Sequence, residues 1–246
     1  MQKEEFELHA RLEDEHWWFK GRRDIIKAVL EKYLAKDSVV VEIGCGTGGN
    51  LRGLAREYPR IFGIEIEEDA VSLAKQMAAI DVYQGDYREI LHNRWEEIDA
   101  VIMADVIEHV EKDCEFVQTV LENLVTGAHL LITVPAHGFL WSEHDEALGH
   151  YRRYSGNELL ATVLQKGNAE VVMFTPFNTI LFPLIAGIRL VKKAFKHKGG
   201  KKSDLKEYSP LLNAILYKLF SCEAFLLKRS VVMPFGCSYL VLLRKV

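Results

Sequence analysis

The sequence predicts an α/β fold, a doubly wound parallel sheet with helices on both faces. Three observations predict it. From Ser38 onward, short apolar runs alternate with stretches of helical periodicity. The first run, Ser38–Ile43, is continuous and β-branched, as in a strand buried on both faces. A turn with four glycines in six positions, Gly44 to Gly49, joins that run to the next helix. A chain of 246 residues, 49% hydrophobic and 27% charged, can bury a large core, which excludes wholesale disorder and collagen-like structure.

Each element follows from its local pattern. Residues 1–36 read as helical and precede the first strand. Leu51, Leu54, Ala55 and Tyr58 recur at i, i+3, i+4 and i+7, which makes a helix. Ile61–Ile66 is the second strand, and Ala70, Leu73, Ala74 and Met77 mark the helix after it. Val82–Tyr83 is a short third strand and Asp99–Met103 a fourth, followed by a helix through Val117, Val120, Leu121 and Leu124. His129–Val134 is the fifth strand. Ser155-Gly-Asn-Glu158 is a capping box opening a helix that Gly167 closes. Glu170–Phe174 and Tyr239–Leu243 are the sixth and seventh strands. The residues between those two read as two apolar helices, 178–195 and 209–229. The expected organisation is one domain: a helical lid (1–36), a ligand-binding core (37–175), a helical insertion (176–236) and a final strand (237–246).

The net charge of -4 conceals a division. Residues 1–150 hold 15 Lys and Arg against 30 Asp and Glu, whereas residues 151–246 hold 16 against 5. The C-terminal part should therefore meet something anionic. Cys45, Cys114, Cys222 and Cys237 form no C-x-x-C pair and read as reduced thiols of a cytoplasmic protein. The first residues lack the apolar core of a secretory signal. The longest apolar run, Ile180 to Ile188, is nine residues, short of the roughly 20 that span a bilayer.

The most informative stretch is Glu42-Ile-Gly44-Cys45-Gly46-Thr-Gly48-Gly49-Asn50, between a strand and a helix. Gly44, Gly46 and Gly49 satisfy G-x-G-x-x-G, so a nicotinamide-dependent dehydrogenase is one reading. Glu65 ends the second strand, where a carboxylate can chelate ribose hydroxyls. Asp86 ends the third, where it can accept a hydrogen bond from an adenine amino group. Glu42, two residues before the first glycine, is outside the dinucleotide rule and suits a ligand carrying an ammonium. With V-V-V-E-I-G-C-G-T-G, G-I-E-I, Q-G-D and D-A-V-I-M-A-D-V-I-E-H-V in this order, residues 38–175 resemble a class I S-adenosylmethionine-dependent methyltransferase of the group acting on small molecules and lipids.

That resemblance implies a Rossmann-like, seven-stranded sheet with an antiparallel last strand and S-adenosyl-L-methionine as cofactor. It implies that Glu42, Gly44 and Gly46 surround the methionine part, Glu65 the ribose and Asp86 the adenine, with Ala104 and Asp105 opposite. Their neighbours Cys45, Gly48, Asn50, Ile66 and Tyr87 complete the expected cofactor site. The insertion before the last strand departs from the family, which usually has a short hairpin there.

Methyl transfer from a sulfonium needs alignment, a proton acceptor and exclusion of water, and in principle no metal. The polar segment Pro135–Tyr154 follows the fifth strand on the edge where ligands bind. From it, Trp141, Asp145, Arg152, Arg153 and Tyr154 are the expected acceptor contacts, and His144 and His150 join His109 as candidate catalytic groups. His144, Asp145 and His150 match no standard metal spacing, so no metal is expected. His16-Trp17-Trp18-Phe19 with Arg22 and Arg23 could form a lid. Within 177–202 an apolar helix runs into Lys192, Lys193, Lys196, Lys198, Lys201 and Lys202, a pairing suited to the interface of an anionic membrane. The expectation is a cytoplasmic enzyme, peripheral to the inner membrane face, that O-methylates a hydrophobic, anionic small-molecule or lipid-linked acceptor. A nucleic-acid methyltransferase is the alternative. Against it, Ala104-Asp-Val-Ile107 replaces the N/D-P-P-Y/F of base-amino methylation, and no Pro-Cys pair exists for cytosine C5.

Overall fold

A computed structural model describes residues 3–77, 80–194 and 204–246. Seven strands form one sheet in the order β3-β2-β1-β4-β5-β7-β6. They are β1 (Val39–Ile43), β2 (Arg60–Glu65), β3 (Val82–Gln84), β4 (Ala100–Ala104), β5 (His129–Pro135), β6 (Ala169–Phe177) and β7 (Ser238–Lys245). β1 to β5 are parallel, and β7 runs antiparallel between β5 and β6. The order reverses at β1: β2 lies on one side and β4 on the other, so the loops leaving β1 and β4 diverge and open a crevice.

Among the described residues, ten α-helices surround the sheet: α1 (Lys3–Leu12), α2 (Trp17–Tyr33), α3 (Gly49–Leu54), α4 (Glu68–Met77), α5 (Tyr87–Ile90), α6 (Asp113–Asn123), α7 (Glu143–Leu148), α8 (Gly156–Leu164), α9 (Phe182–Ala194) and α10 (Pro210–Lys228). Alternate strand residues face opposite layers. Val39, Val41, Val101 and Met103 pack on one side with Val117, Leu121, Leu159 and Val163 of α6 and α8. Val40, Ile102, Leu131, Leu240 and Leu242 pack on the other with Ile25, Ile26 and Val29 of α2 and Phe220 and Leu227 of α10. All five residues of β1 are buried, as its β-branched run predicts.

The insertion and the N-terminal helices cover the same face. Gly21 lets α2 and α10 approach, since a Cβ there would meet Phe220 Cδ1 at 2.1 Å. Phe220 stacks on Trp18 at 5.5 Å and on Phe177 at 6.1 Å. Asn213 accepts from the Trp17 N–H at 2.8 Å and donates to the Glu15 carbonyl at 2.7 Å, and Tyr217 donates to Asp24 at 2.8 Å.

Three sequence expectations change. The helix after the glycine turn stops at Leu54; Ala55 is half-buried and Tyr58 buries through the turn that follows. β6 extends to Phe177, carrying the chain to the ligand edge before α9 begins. The Pro135–Tyr154 segment contains a 3-10 turn at Gly138–Leu140 and helix α7 rather than continuous loop. Of the six lysines expected at a membrane, Lys192 and Lys193 end α9, and Lys196, Lys198, Lys201 and Lys202 lie outside the described residues.

Candidate functional site

A cavity of about 990 Å³ lies at the C-terminal edge of the sheet, over β1 and β4. One end is the glycine turn. Gly44 and Gly46 adopt φ of +73° and +53°, and a Cβ on Gly46 would meet nothing within 4 Å, so its backbone faces open space. Glu65 is pinned beside it: Oε2 accepts from Gly46 N–H at 2.9 Å, and Oε1 accepts from Ile66 and Glu67 N–H at 2.8 and 3.0 Å. Glu42 accepts from Asn50 Nδ2 at 2.7 Å, while its buried Oε2 has no partner. Burial pushes the Glu42 carboxyl up to about 7, against the pull of Asn50 and Arg22.

Asp86 caps α5, accepting from Arg88 N–H at 2.8 Å. The Arg88 side chain also pairs with it and holds its carboxyl below the usual carboxylate range. Asp105, at φ +57° after β4, accepts from Thr133 at 3.0 Å and pairs with Arg22 of α2. Cys45 is buried, and burial raises its thiol well above the ordinary value.

Every expected cofactor residue but one lines this cavity: Glu42, Gly44, Cys45, Gly46, Asn50, Glu65, Ile66, Asp86, Tyr87, Ala104 and Asp105. Gly48 does not. It is the left-handed N-cap of α3, φ +81°, and turns the chain behind the cavity.

The lid is latched to the turn. Thr47 donates to Glu13 at 2.6 Å, and Arg23 donates to the carbonyls of Gly49 and Glu13 at 2.6 and 2.7 Å. His9, Glu13, His16, Trp17, Trp18, Phe19 and Arg22 all face the cavity. Arg23 serves as latch instead.

On the acceptor side His109, His144, His150 and Arg153 reach the wall. Burial and then the charge of His150 lower His109 to about 4; burial and Arg189 lower His144 to about 4. Trp141, Asp145, Arg152 and Tyr154 do not reach it, which corrects four expected acceptor contacts. Trp141 ends the 3-10 turn. Arg152 pairs with Asp113 at 2.6 Å and donates to the Glu111 carbonyl, and Tyr154 is buried with its hydroxyl on Asp113 at 2.6 Å. Asp145 is a buried hub. It accepts from Ser142 N–H at 2.9 Å, contacts His150 Nδ1 at 3.0 Å and Arg153 Nε at 2.7 Å, and faces Arg189 at 3.9 Å. Burial opposes its charge, yet His150, Arg153 and Arg189 hold it below the usual range.

Several wall residues escaped sequence reading. Asn178, φ +59°, is buried with neither side-chain polar atom partnered. Arg189 and Lys192 of α9 pair with Asp204 at 3.3 and 3.1 Å, and Ile185, Ile188 and Tyr208 add an apolar roof. The one sequence signal for Arg189 is its isolation within an apolar helix. Among the described residues, the group able to hold a metal is Glu108, His109 and His150, whose ligand atoms lie within 4.8 Å of one another. It replaces the His144, Asp145 and His150 set weighed from sequence, because Asp145 is spent on Arg153 and the α7 cap.

A family model described as a methyltransferase domain matches residues 15–172. A probable S-adenosylmethionine-dependent methyltransferase of Mycolicibacterium smegmatis is 25% identical over 126 residues, 50% of this chain and 48% of that protein. Trans-aconitate 2-methyltransferase of Deinococcus radiodurans is 26% identical over 161 residues, 64% of this chain and 54% of that protein. The chain spans about half the length of the curated relatives it matches. Among solved structures, the methyltransferase in complex with the Haloferax volcanii Trm112 methyltransferase activator has the same fold, with a TM-score of 0.60 at 16% identity over 99% of this chain and 96% of that one.

Proposed function

The chain belongs to the S-adenosylmethionine-dependent methyltransferases, and on that premise we propose that it methylates a hydroxyl oxygen of a hydrophobic, anionic acceptor that is small or lipid-linked. One observation carries this reading. The cavity is continuous from the glycine turn, past His109 and His150, to a roof where Asn178, Arg189 and Lys192 adjoin Ile185 and Ile188. Such a roof suits a ligand with an apolar body and an anionic group. At about 990 Å³ the cavity sits at the upper end of the roughly 300–1,000 Å³ that one ligand occupies, leaving space for a nucleoside donor and an acceptor together.

The residues fit the cofactor. Glu42 keeps an unpartnered carboxylate oxygen for an ammonium, Gly46 leaves its backbone open, and Glu65 is fixed for a ribose diol. S-adenosylmethionine, when bound, supplies a methyl already activated on a sulfonium. What remains for the protein is positioning and dehydration. Trp17, Trp18 and Phe19 of α2 close one side, and Arg22 ties that helix to Asp105 on the other. Desolvation in the cavity and the charge of His150 lower His109 to about 4, which favours the neutral ring. It can orient a hydroxyl, but with that basicity it is a weak proton acceptor.

We place the enzyme in the cytoplasm, peripheral to an anionic membrane face, with the outer sides of α9 and α10 against the lipid. The test is transfer of radiolabelled methyl from S-adenosylmethionine into fractionated cell extract. The expected label enters an organic-soluble, anionic fraction as an ether or ester. Label in nucleic acid or protein, or none in any fraction, rejects the reading.

A further inference from the structure

We propose that Glu108, His109 and His150 bind one divalent transition-metal ion, of the Mn²⁺, Fe²⁺ or Zn²⁺ type, on the acceptor side of the cavity. The site is inferred from its own geometry, whereas its role in methyl transfer rests on the function proposed above. The candidate ligand atoms, two imidazole nitrogens and a carboxylate oxygen, lie within 4.8 Å of one another. At the tetrahedral angle, ligands about 2.0–2.2 Å from a shared ion stand about 3.3–3.6 Å apart, so the three side chains would draw together by up to about 1.5 Å to close on one.

Three further observations mark it as a prepared site. Glu108 is fully buried and faces the cavity, and neither of its carboxylate oxygens has a hydrogen-bond partner. A carboxylate buried without partners is costly unless a cation joins it. Second, His150 Nδ1 sits 3.0 Å from Asp145 Oδ1, and Arg153 holds that carboxylate at 2.7 Å. With Nδ1–H of His150 donating to Asp145 Oδ1, Nε2 carries the free lone pair, the arrangement in which metal-binding histidines are oriented by an outer carboxylate. Third, Tyr151 N–H donates to the Glu108 carbonyl at 2.8 Å, tying the loop that carries His150 to the turn that carries Glu108 and His109. His109 and His150 rings meet edge to face at 4.6 Å.

Two imidazoles and one carboxylate suit ions of intermediate softness better than Mg²⁺ or Ca²⁺, which favour all-oxygen shells. Three protein ligands leave coordination positions toward the cavity. An acceptor hydroxyl placed there is acidified, which His109 alone does poorly. Its proton leaves to water, its oxygen pair forms the new O–CH₃ bond as the S–CH₃ bond of the donor breaks, and the sulfonium charge is lost.

Untagged protein, stripped with chelator, is titrated separately with Mn²⁺, Zn²⁺ and Mg²⁺ salts by calorimetry, with Mn²⁺ spin resonance as second readout. One ion per chain is expected, held at least 100-fold more weakly in H109A and E108Q. Asp145→Asn, a positioning change, should cost about 10- to 100-fold. Glu108→Gln should leave the thermal midpoint of the stripped protein unchanged or higher, since an amide of the same shape has no ionised form to desolvate. No stoichiometric binding, binding indifferent to H109A and E108Q in folded protein, or tighter binding of Mg²⁺ than of Mn²⁺ and Zn²⁺ overturns the site. Ion binding without methylation of any hydroxyl acceptor sinks the proposed function and leaves the metal site standing; hydroxyl methylation without ion binding does the reverse.

Discussion

At the residue scale, two carboxylates of the glycine turn do different jobs. Glu42 is buried, its second oxygen is unpartnered, and its carboxyl sits near 7 instead of the ordinary 4.5. The folded chain therefore keeps a proton that the unfolded chain releases between those values. This contribution to stability is present in full below about 4.5 and is lost as the pH climbs through 7. A ligand ammonium beside Glu42 favours the ionised form, so binding below pH 7 releases a proton. Affinity for S-adenosylhomocysteine should rise about fivefold from pH 6 to 7 and level off only above about pH 8. Titration calorimetry in buffers of different ionisation enthalpy reads both effects, and Glu42→Gln should flatten them. An equal slope in that variant would remove Glu42 from the ammonium role. Glu65 shows what spacing alone leaves out. Its place after the second strand marks a ribose ligand, but three backbone N–H groups also hold their turn through it. That second role depends on chain reversal in space, which no sequence interval encodes.

At the element scale, legibility follows whether a residue's partner is local. Ser155 and Glu158 form a capping box with both partners inside four residues, and the start of the helix they open is legible in the sequence, although it ends at Leu164, short of Gly167. Ser142 and Asp145 form the same device at α7, yet Asp145 reads as a ligand contact, because its other partners, Arg153 and Arg189, belong to the segment leading into α8 and to α9. The insertion shows the same limit: its helices are evident from apolar content, whereas their seat on α2 depends on Gly21 and Phe220 meeting across 199 positions. That contact makes a prediction. Gly21→Ala gains about 1 kcal/mol of helix propensity. The added methyl, however, would stand 2.1 Å from Phe220 Cδ1, in a ring cluster with Trp17, Trp18 and Phe177. Overpacking of this kind costs about 1–3 kcal/mol, so the net effect is destabilising by up to about 2 kcal/mol. Thermal melts of the two chains test it; an equal or higher midpoint for the variant would show that α10 shifts freely along α2.

At the scale of the whole molecule, charge and apolar exposure converge on the insertion. The C-terminal 96 residues hold 16 of the 31 basic groups, and α9 and α10 expose Leu184, Val191, Leu211 and Phe225 at 57, 56, 73 and 54%. α10 is apolar and long enough by composition to cross a membrane. Yet Phe220, Glu223, Ala224 and Leu227 are buried within the fold, and Glu223 accepts from Ile180 N–H at 2.9 Å. One face of α10 is thus committed to protein, and the other is free to lie along a surface. Against an anionic surface, the five lysines besides the Asp204-paired Lys192 would contribute about 5 kcal/mol, and covering the exposed parts of Leu211 and Ile215 would add about 2–4 kcal/mol. Neither term dominates, so both should be visible. Sedimentation with vesicles containing anionic lipid should weaken by roughly tenfold or more as salt rises, because the lysine attraction is screened. Leu211→Glu with Ile215→Glu should abolish binding at low salt while leaving S-adenosylhomocysteine affinity unchanged, since neither residue lines the cavity. If the double variant binds vesicles as the parent does, the lipid does not touch this face, and the acceptor must reach the roof of α9 from water.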